Sequence, residues 1–487
     1  MASDRVVPEK ELIITDLKVV DSGLAQFPGP FSFGHLVTEL AGDQEPGEFV
    51  LNWLGIWEKE QFVNTFRVPP RPAIREKVIE SWQRSDGYDS ESGERWKPNF
   101  ENAPFRLLAI VNRLDIASSF RFVMRDGGCN VMPTRALDGR YGGSSSTDSI
   151  LRRQDPEPRE NQLLFRPLRG SAAEVRLVYG VIDENGEPLK PDFTVIFEYG
   201  LPLPELKEGQ RGTLLGHAVR WHRLGGFRDF DSTYLETLAN LTRMGTDRQS
   251  AVVAGLPNLN PPPLKHLRTN DGALGEGREF REFVLAENGN LEPDPLDNTP
   301  AAIFFDRESK LNRELGGIMQ GSPVQIIETG FFIPAVISGN ALGRNMFRVP
   351  GGKYGAPPDL AVLGGNAIIY GNDATACWSS PNLTDPMARH TISKDSCIGC
   401  HAGETATTDC VHIKSRRAGE PAELSAFLTD RTFSKFKDPI HPKVEHQLTE
   451  LPERILLFQS LFEARSSEVL GRLEVRMNRM MKTRLER

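Results

Sequence analysis

The chain has 487 residues, a formal net charge of −8 and a pI of about 5.8. That acidic balance argues against a nucleic-acid binder held by phosphate neutralisation, and no run of about 18 apolar residues is present to cross a membrane as a helix. Hydrophobic residues make up 39%, enough for a sizeable core, while 44 glycines and 35 prolines predict many turns and few long helices.

Residues 11–20 (ELIITDLKVV) are branched and apolar and read as a strand. One or two helices are expected over 35–63, where His35, Leu36 and Leu40 have helical spacing beside the aromatic cluster Trp53, Trp57 and Phe62. Pro69-Pro70-Arg71-Pro72 breaks the chain before a short helix at about 73–83. Phe105 to Ile116 is a buried strand candidate, and the Gly-, Ser- and Arg-rich stretch 126–162 reads as a long exposed loop. Val175–Asp183 and Phe193–Tyr199 form a β-hairpin signal around Asn185-Gly186, a pair suited to positive φ. Helices follow at about 209–223 and 231–244, strand-like segments at 264–269, 279–286, 324–328 and 331–338, and a helix near 306–319. Gly339 to His390 has weak periodicity and reads as loop. Leu424–Leu428 is short and apolar, and a C-terminal helix carries Pro452 in its first turn.

The expected architecture is therefore α+β. A β-rich body spans 1–338, with a possible subdomain break near 126–162. A loop-rich segment follows over 339–430, and a helical segment over 431–487.

The stretch whose chemistry is specific is Cys397-Ile398-Gly399-Cys400-His401. Cys-x-x-Cys-His is the attachment pattern of a c-type haem. The two-residue gap presents both thiols to one porphyrin edge, where they add to the vinyl groups, and the adjacent histidine becomes the proximal iron ligand. For the distal position His412 ranks first and Met387 second; a vacant position would point to peroxide or small-gas chemistry. The same cysteines support a rival reading: Cys397, Cys400, Cys410 and His412 make a complete tetrahedral set for structural zinc.

Other features are weaker. Arg268-Thr269-Asn270-Asp271 and Arg278-Glu279-Phe280-Arg281-Glu282-Phe283 are dense in paired charge, which suits either a site facing the haem or a salt-bridged strand surface. Trp378 can pack on a haem edge or sit in a core. His35, His217, His222 and His266 read as core histidines. No Walker loop, nucleophile elbow, His-Glu-x-x-His or Rossmann fingerprint is present.

Several stretches resemble a group of mostly secreted bacterial proteins that carry a single Cys-x-x-Cys-His. They are APFRLLAIVNRLDI (103–116), FTVIFEYGLP (193–202), LRTND (267–271), REFREF (278–283), SCIGCHAGET (396–405) and LSAFLTD (424–430). The resemblance implies haem c and export, and brings no activity with it. Two points depart from the group: Met1-Ala2-Ser3-Asp4-Arg5 shows no export signal, and a cysteine stands at 410 where an apolar residue is usual.

The leading expectation is a monohaem cytochrome-like protein for electron transfer or haem redox chemistry, with the large body binding a redox partner protein or a substrate. A zinc-stapled structural or interaction protein is the alternative, and a haem enzyme with an open distal site the second. Haem attachment implies a periplasmic or extracellular location; zinc implies the cytoplasm.

Overall fold

The computed structural model describes residues 5–114, 120–125, 128–133, 171–202, 212–247, 264–286, 288–321, 336–337, 360–370 and 376–463. The architecture is α+β, as composition and periodicity led us to expect.

Its centre is an eight-stranded antiparallel sheet made of β1 (Ile13–Ile14), β2 (Phe105–Leu114), β3 (Ser171–Val181), β4 (Phe193–Pro202), β5 (Leu264–Asp271), β6 (Arg278–Leu285), β7 (Leu291–Asp294) and β8 (Asn366–Ile369). Strands β1 to β7 lie in sequence order. The first half of β6 also pairs with β8, whose residues come from the segment read as loop. The β3–β4 hairpin forms where the alternation placed it, and Gly186 in its connection has φ +78°.

The alternation gives the sheet two unlike faces. One carries Leu177, Tyr179, Val195, Phe197, Leu267 and Phe283, all buried. Helices α1 (Phe33–Ala41) and α2 (Pro46–Leu54) cover this face. Phe33 stacks on Phe105 at 3.8 Å between ring centres, Trp53 meets Phe283 edge-on, and the Tyr179 hydroxyl donates to the Phe31 carbonyl at 2.8 Å. The opposite face carries Arg113, Glu174, Arg176, Glu198, His266, Arg268 and Glu282. The strand register aligns them: Arg113 faces Glu174, Arg176 faces Glu198, Glu198 faces His266 and Arg268 faces Glu282.

Helices α3 (Gly212–Gly225), α4 (Ser232–Thr246) and α5 (Lys310–Gln320) agree with the periodicity. Three expectations are corrected. Of residues 11–20 only Ile13–Ile14 is strand; Leu17–Val20 is a helical turn, because the Asp16 carboxylate accepts the Lys18 amide at 2.9 Å and caps it. Residues 128–133, inside the stretch read as loop, pair with 120–125 as antiparallel strands. The presumed loop before the motif ends in α6 (Pro386–Asp395). That helix is polar enough to hide its periodicity, yet Asp385 caps the amides of Met387 and Ala388 and Pro386 opens it. The expected strand at 324–328, residues 331–335 and 338 of the expected strand at 331–338 and all of 134–170 lie outside the described residues, as does the end of the C-terminal helix, α8 (Glu450–Glu463).

Candidate haem-attachment site

Cys397–Cys400 form a single helical turn, α7, directly after α6. Local hydrogen bonds fix it. Ser396 Oγ donates to the Ser393 carbonyl at 2.6 Å and accepts the Gly399 amide at 3.1 Å; the Cys397 amide donates to Thr299 Oγ1 at 2.9 Å. Gly399 is required by packing: a Cβ there would stand 2.6 Å from the Ser393 carbonyl carbon and closer still to its oxygen.

His401 follows the turn. Its Nδ1 faces the Cys410 carbonyl at 3.1 Å, and Asn270 Nδ2 donates to the same oxygen at 2.8 Å. Cys410 takes φ +56° to turn this carbonyl inward. A carbonyl only accepts, so Nδ1 carries the ring proton and Nε2 the lone pair. Burial holds the imidazole neutral, lowering its pKa to about 4. A neutral ring whose far N–H is tied to a carbonyl is the arrangement of a metal-ligating histidine.

Cys397, Cys400 and His401 line a cavity of about 400 Å³, within the range of small-molecule and cofactor sites. Its other wall is the charged face of the sheet, including Arg113, Glu174, Arg176, Glu198 and Arg268, and α8 adds Glu450 and Arg454. The wall is densely ion-paired: Arg176 lies 2.7 Å from Glu174 and 3.0 Å from Glu198, Lys265 pairs with Glu174, and Arg268 lies 2.9 Å from Glu282. Several polar atoms there are buried without a hydrogen-bond partner, among them Asn270 Oδ1 and Arg454 Nε and Nη1. Such atoms are costly unless a polar ligand or water meets them. The unpartnered Arg454 nitrogens are donors that suit the carboxylates of a haem, so the residues present fit that group.

The paired charge at 268–271 and 278–283 thus contributes both a salt-bridged surface and a wall of the candidate site. Phe280 packs 4.8 Å from the His401 ring. Glu282 is pushed up to about 7 by burial, against the pull of Arg268 and His266.

His412 lies beside His401 rather than across the cavity from it. The ring centres are 4.5 Å apart and tilted by 41°. Two imidazoles on opposite sides of one metal ion need about 4 Å between nitrogens alone, with the ring centres further apart. His412 Nε2 contacts Cys400 Sγ at 3.4 Å, and its Nδ1 meets Ser425 Oγ at 2.9 Å. Burial, with Glu450 nearby, raises the Cys400 thiol to about 12; burial and neighbouring His401 hold His412 well below its ordinary value. The contact is a neutral pair and lacks the thiolate of a cysteine nucleophile.

Met387 is 40% exposed on α6 and does not line the cavity. No three of the four zinc candidates Cys397, Cys400, Cys410 and His412 have ligand atoms all within 4.8 Å of one another. Among the described residues, the triplets whose ligand atoms all lie within 4.8 Å of one another are His390/Asp438/His446 and His266/Glu282/Asp297. Cys377, Cys397 and Cys400 are free thiols. Trp378 is a core residue, its Nε1 donating to the Phe304 carbonyl at 3.1 Å.

The sequence reading missed Glu174, Arg176 and Glu198. Their signal was present as single charges at alternate positions of otherwise apolar strands. Comparison with protein-family models, curated proteins and solved structures found no match to this chain.

Proposed function

We propose that this chain is a monohaem c-type protein that performs haem redox chemistry at an open distal position. Cys397 and Cys400 would anchor the haem through thioether bonds, and His401 would ligate its iron. The observation that carries the reading is the hydrogen bond from His401 Nδ1 to the Cys410 carbonyl, beside a polar cavity shared with both thiols. A haem bound there supplies one-electron chemistry and an iron that takes small ligands.

The chain's own part is to orient and to screen. The Cys410 carbonyl fixes the His401 tautomer, Asn270 fixes that carbonyl, and Phe280 flanks the ring. Arg113, Arg176, Arg268 and Arg454 offer donors to carboxylates. Reaction at an open position is favoured over a bis-histidine carrier by the placement of His412. His401 and His412 are the only histidines lining the cavity among the described residues, no methionine lines it, and His412 packs against His401. The size of the body then has a use in binding a substrate or a redox partner protein. Haem attachment places the working protein in the periplasm or outside the cell.

The test is a visible spectrum of protein produced with a haem-attachment system. Expected is a Soret band that survives acid–acetone extraction, a pyridine haemochrome of one haem per chain, and loss of both in Cys397→Ser/Cys400→Ser. A colourless protein whose bound zinc disappears in Cys400→Ser would overturn the reading in favour of the zinc set.

A further inference from the structure

Helix α8 closes one end of the cavity that Cys397, Cys400 and His401 line, and there the hydrogen-bond donors and the charges are unmatched. Arg454 stands one helical turn after Glu450, and its Nη2 donates to that carboxylate. Nothing answers the rest of the guanidinium. Its Nε and Nη1 are buried with no hydrogen-bond partner, and the side chain is only 13% exposed. An arginine keeps its charge and has no acceptor of its own, so it cannot adapt to missing partners by losing a proton. Donors left in that state are costly unless an acceptor meets them.

Charge points the same way. On the facing strands Arg176 lies 2.7 Å from Glu174 and 3.0 Å from Glu198, and Lys265 pairs with Glu174. Arg113 stands opposite Glu174 in the strand register. Arg113, Arg176, Lys265 and Arg454 thus share Glu174, Glu198 and Glu450, and one positive charge is left over. The neighbouring groups do not cancel it. Lys394 has Asp395 next to it in the chain, and Arg268 belongs to a separate group in which two carboxylates, Glu282 and Asp297, meet Arg268 and His266. Burial, with Arg113 and Arg176 nearby, pulls Arg454 below its ordinary value although Glu450 opposes the shift. The oxygens of Glu198 also lack aligned hydrogen bonds, but Arg176 at 3.0 Å answers their charge. A buried cation in excess is destabilising until an anion joins it.

We propose that Arg454, with Arg113 and Arg176, forms a subsite for one small monoanion of the carboxylate class at the α8 end of the cavity, anchored by the open donors of Arg454. Guanidinium donors favour an oxygen anion of this shape, because charge-assisted N–H···O bonds are directional and short. Two sources carry the group: a carboxylate of the haem proposed above, or a free carboxylate that enters as substrate. The subsite deepens the reading of that cavity, but its own donors and charges are present without haem, and its test begins without it.

The experiment is isothermal titration of the haem-free full chain, kept reduced, with sodium acetate as probe and acetamide as the neutral control. Expected is one acetate per chain and no acetamide. Arg454→Gln weakens acetate binding by about 10- to 100-fold, as loss of a hydrogen bond to a charged group does. No acetate binding, or equal binding in Arg454→Gln, would mean that the arginines only hold the carboxylates around them and would overturn the proposal. Titration of the haem-loaded chain separates the sources. Exclusion of acetate means that a haem carboxylate fills the subsite, and unchanged affinity means that a free one does. A chain that takes up no haem fails the haem reading alone, and acetate binding by that chain still decides the subsite. Should Arg454→Gln fail to fold, the thermal midpoint of the unaltered chain decides. Acetate is expected to raise it above its value in chloride at equal ionic strength, because a ligand that binds only the folded state stabilises it; equal midpoints overturn the proposal.

Discussion

Replacing Gly399 by alanine probes how the cysteine turn is held. The added methyl would lie 2.6 Å from the carbonyl carbon of Ser393 and 2.7 Å from its Oγ, inside the 3.0 Å that real Cβ atoms respect. Neither obstacle moves easily. The carbonyl belongs to the backbone of α6, and the hydroxyl accepts the Trp378 amide at 2.9 Å. Relief therefore requires α7 to shift as a unit, carrying both cysteines with it. Overpacking a closed site costs about 1–3 kcal/mol, and a backbone obstacle argues for the upper end, about 3 kcal/mol. Urea unfolding followed by tryptophan fluorescence measures that loss, and the covalent haem yield per chain falls with it. Gly55→Ala is the control: it adds a methyl with nothing within 4 Å at φ −66°, ψ −12°, and is expected to stabilise by about 0.4–1 kcal/mol. A Gly399→Ala chain with an unchanged midpoint and full haem yield would refute the packing argument.

The remaining predictions concern the buried charges and the second histidine. Arg71 is 7% exposed and lies 3.1 Å from Asp271 and 2.8 Å from Glu279. Arg71→Met leaves two buried carboxylates with Arg281 as their remaining cation and should cost about 3–5 kcal/mol in urea unfolding; a loss under about 1 kcal/mol would sink the idea. Glu282, raised to about 7 from an unfolded value near 4.5, keeps its proton longer in the folded state. Its contribution is present in full below about 4.5 and is lost as pH rises through about 7, so Glu282→Gln should flatten that part of the stability–pH curve; parallel curves for the two proteins would count against it. His412→Ala removes a ring that packs on His401. The haem protein should keep its spin state and Soret position, and a low-spin to high-spin change would restore His412 as a distal ligand.

The two histidine clusters, the Cys-x-x-Cys-His motif and the His390/Asp438/His446 triplet with Glu404 beside it, differ in how much of them can be read from sequence. Cys397, Cys400 and His401 are contiguous, because attachment needs both thiols and the imidazole on one turn of backbone, and short-range geometry ties chemistry to spacing. His390, Glu404, Asp438 and His446 span more than fifty residues without a recurring interval. Only the packing of the 435–447 hairpin on α6 brings them together, and no local pattern marks it.

The sequence by itself determined the long central strands β2 to β6, the hairpin at Asn185-Gly186 and the Cys-x-x-Cys-His spacing, since alternation, turn chemistry and thiol spacing act over a few residues. It also marked Arg268 to Asp271 and Arg278 to Phe283 as unusual. Tertiary structure decided what these charges do. Register across five strands aligns Arg113, Glu174, Arg176, Glu198, His266, Arg268 and Glu282 on one face, and chain closure sets α7 and α8 over that face as the far wall of a cavity. It also set His412 against His401 instead of opposite it. Both outcomes depend on contacts between residues far apart in the chain, which are fixed by burial and pairing across the whole fold and leave no trace in local spacing.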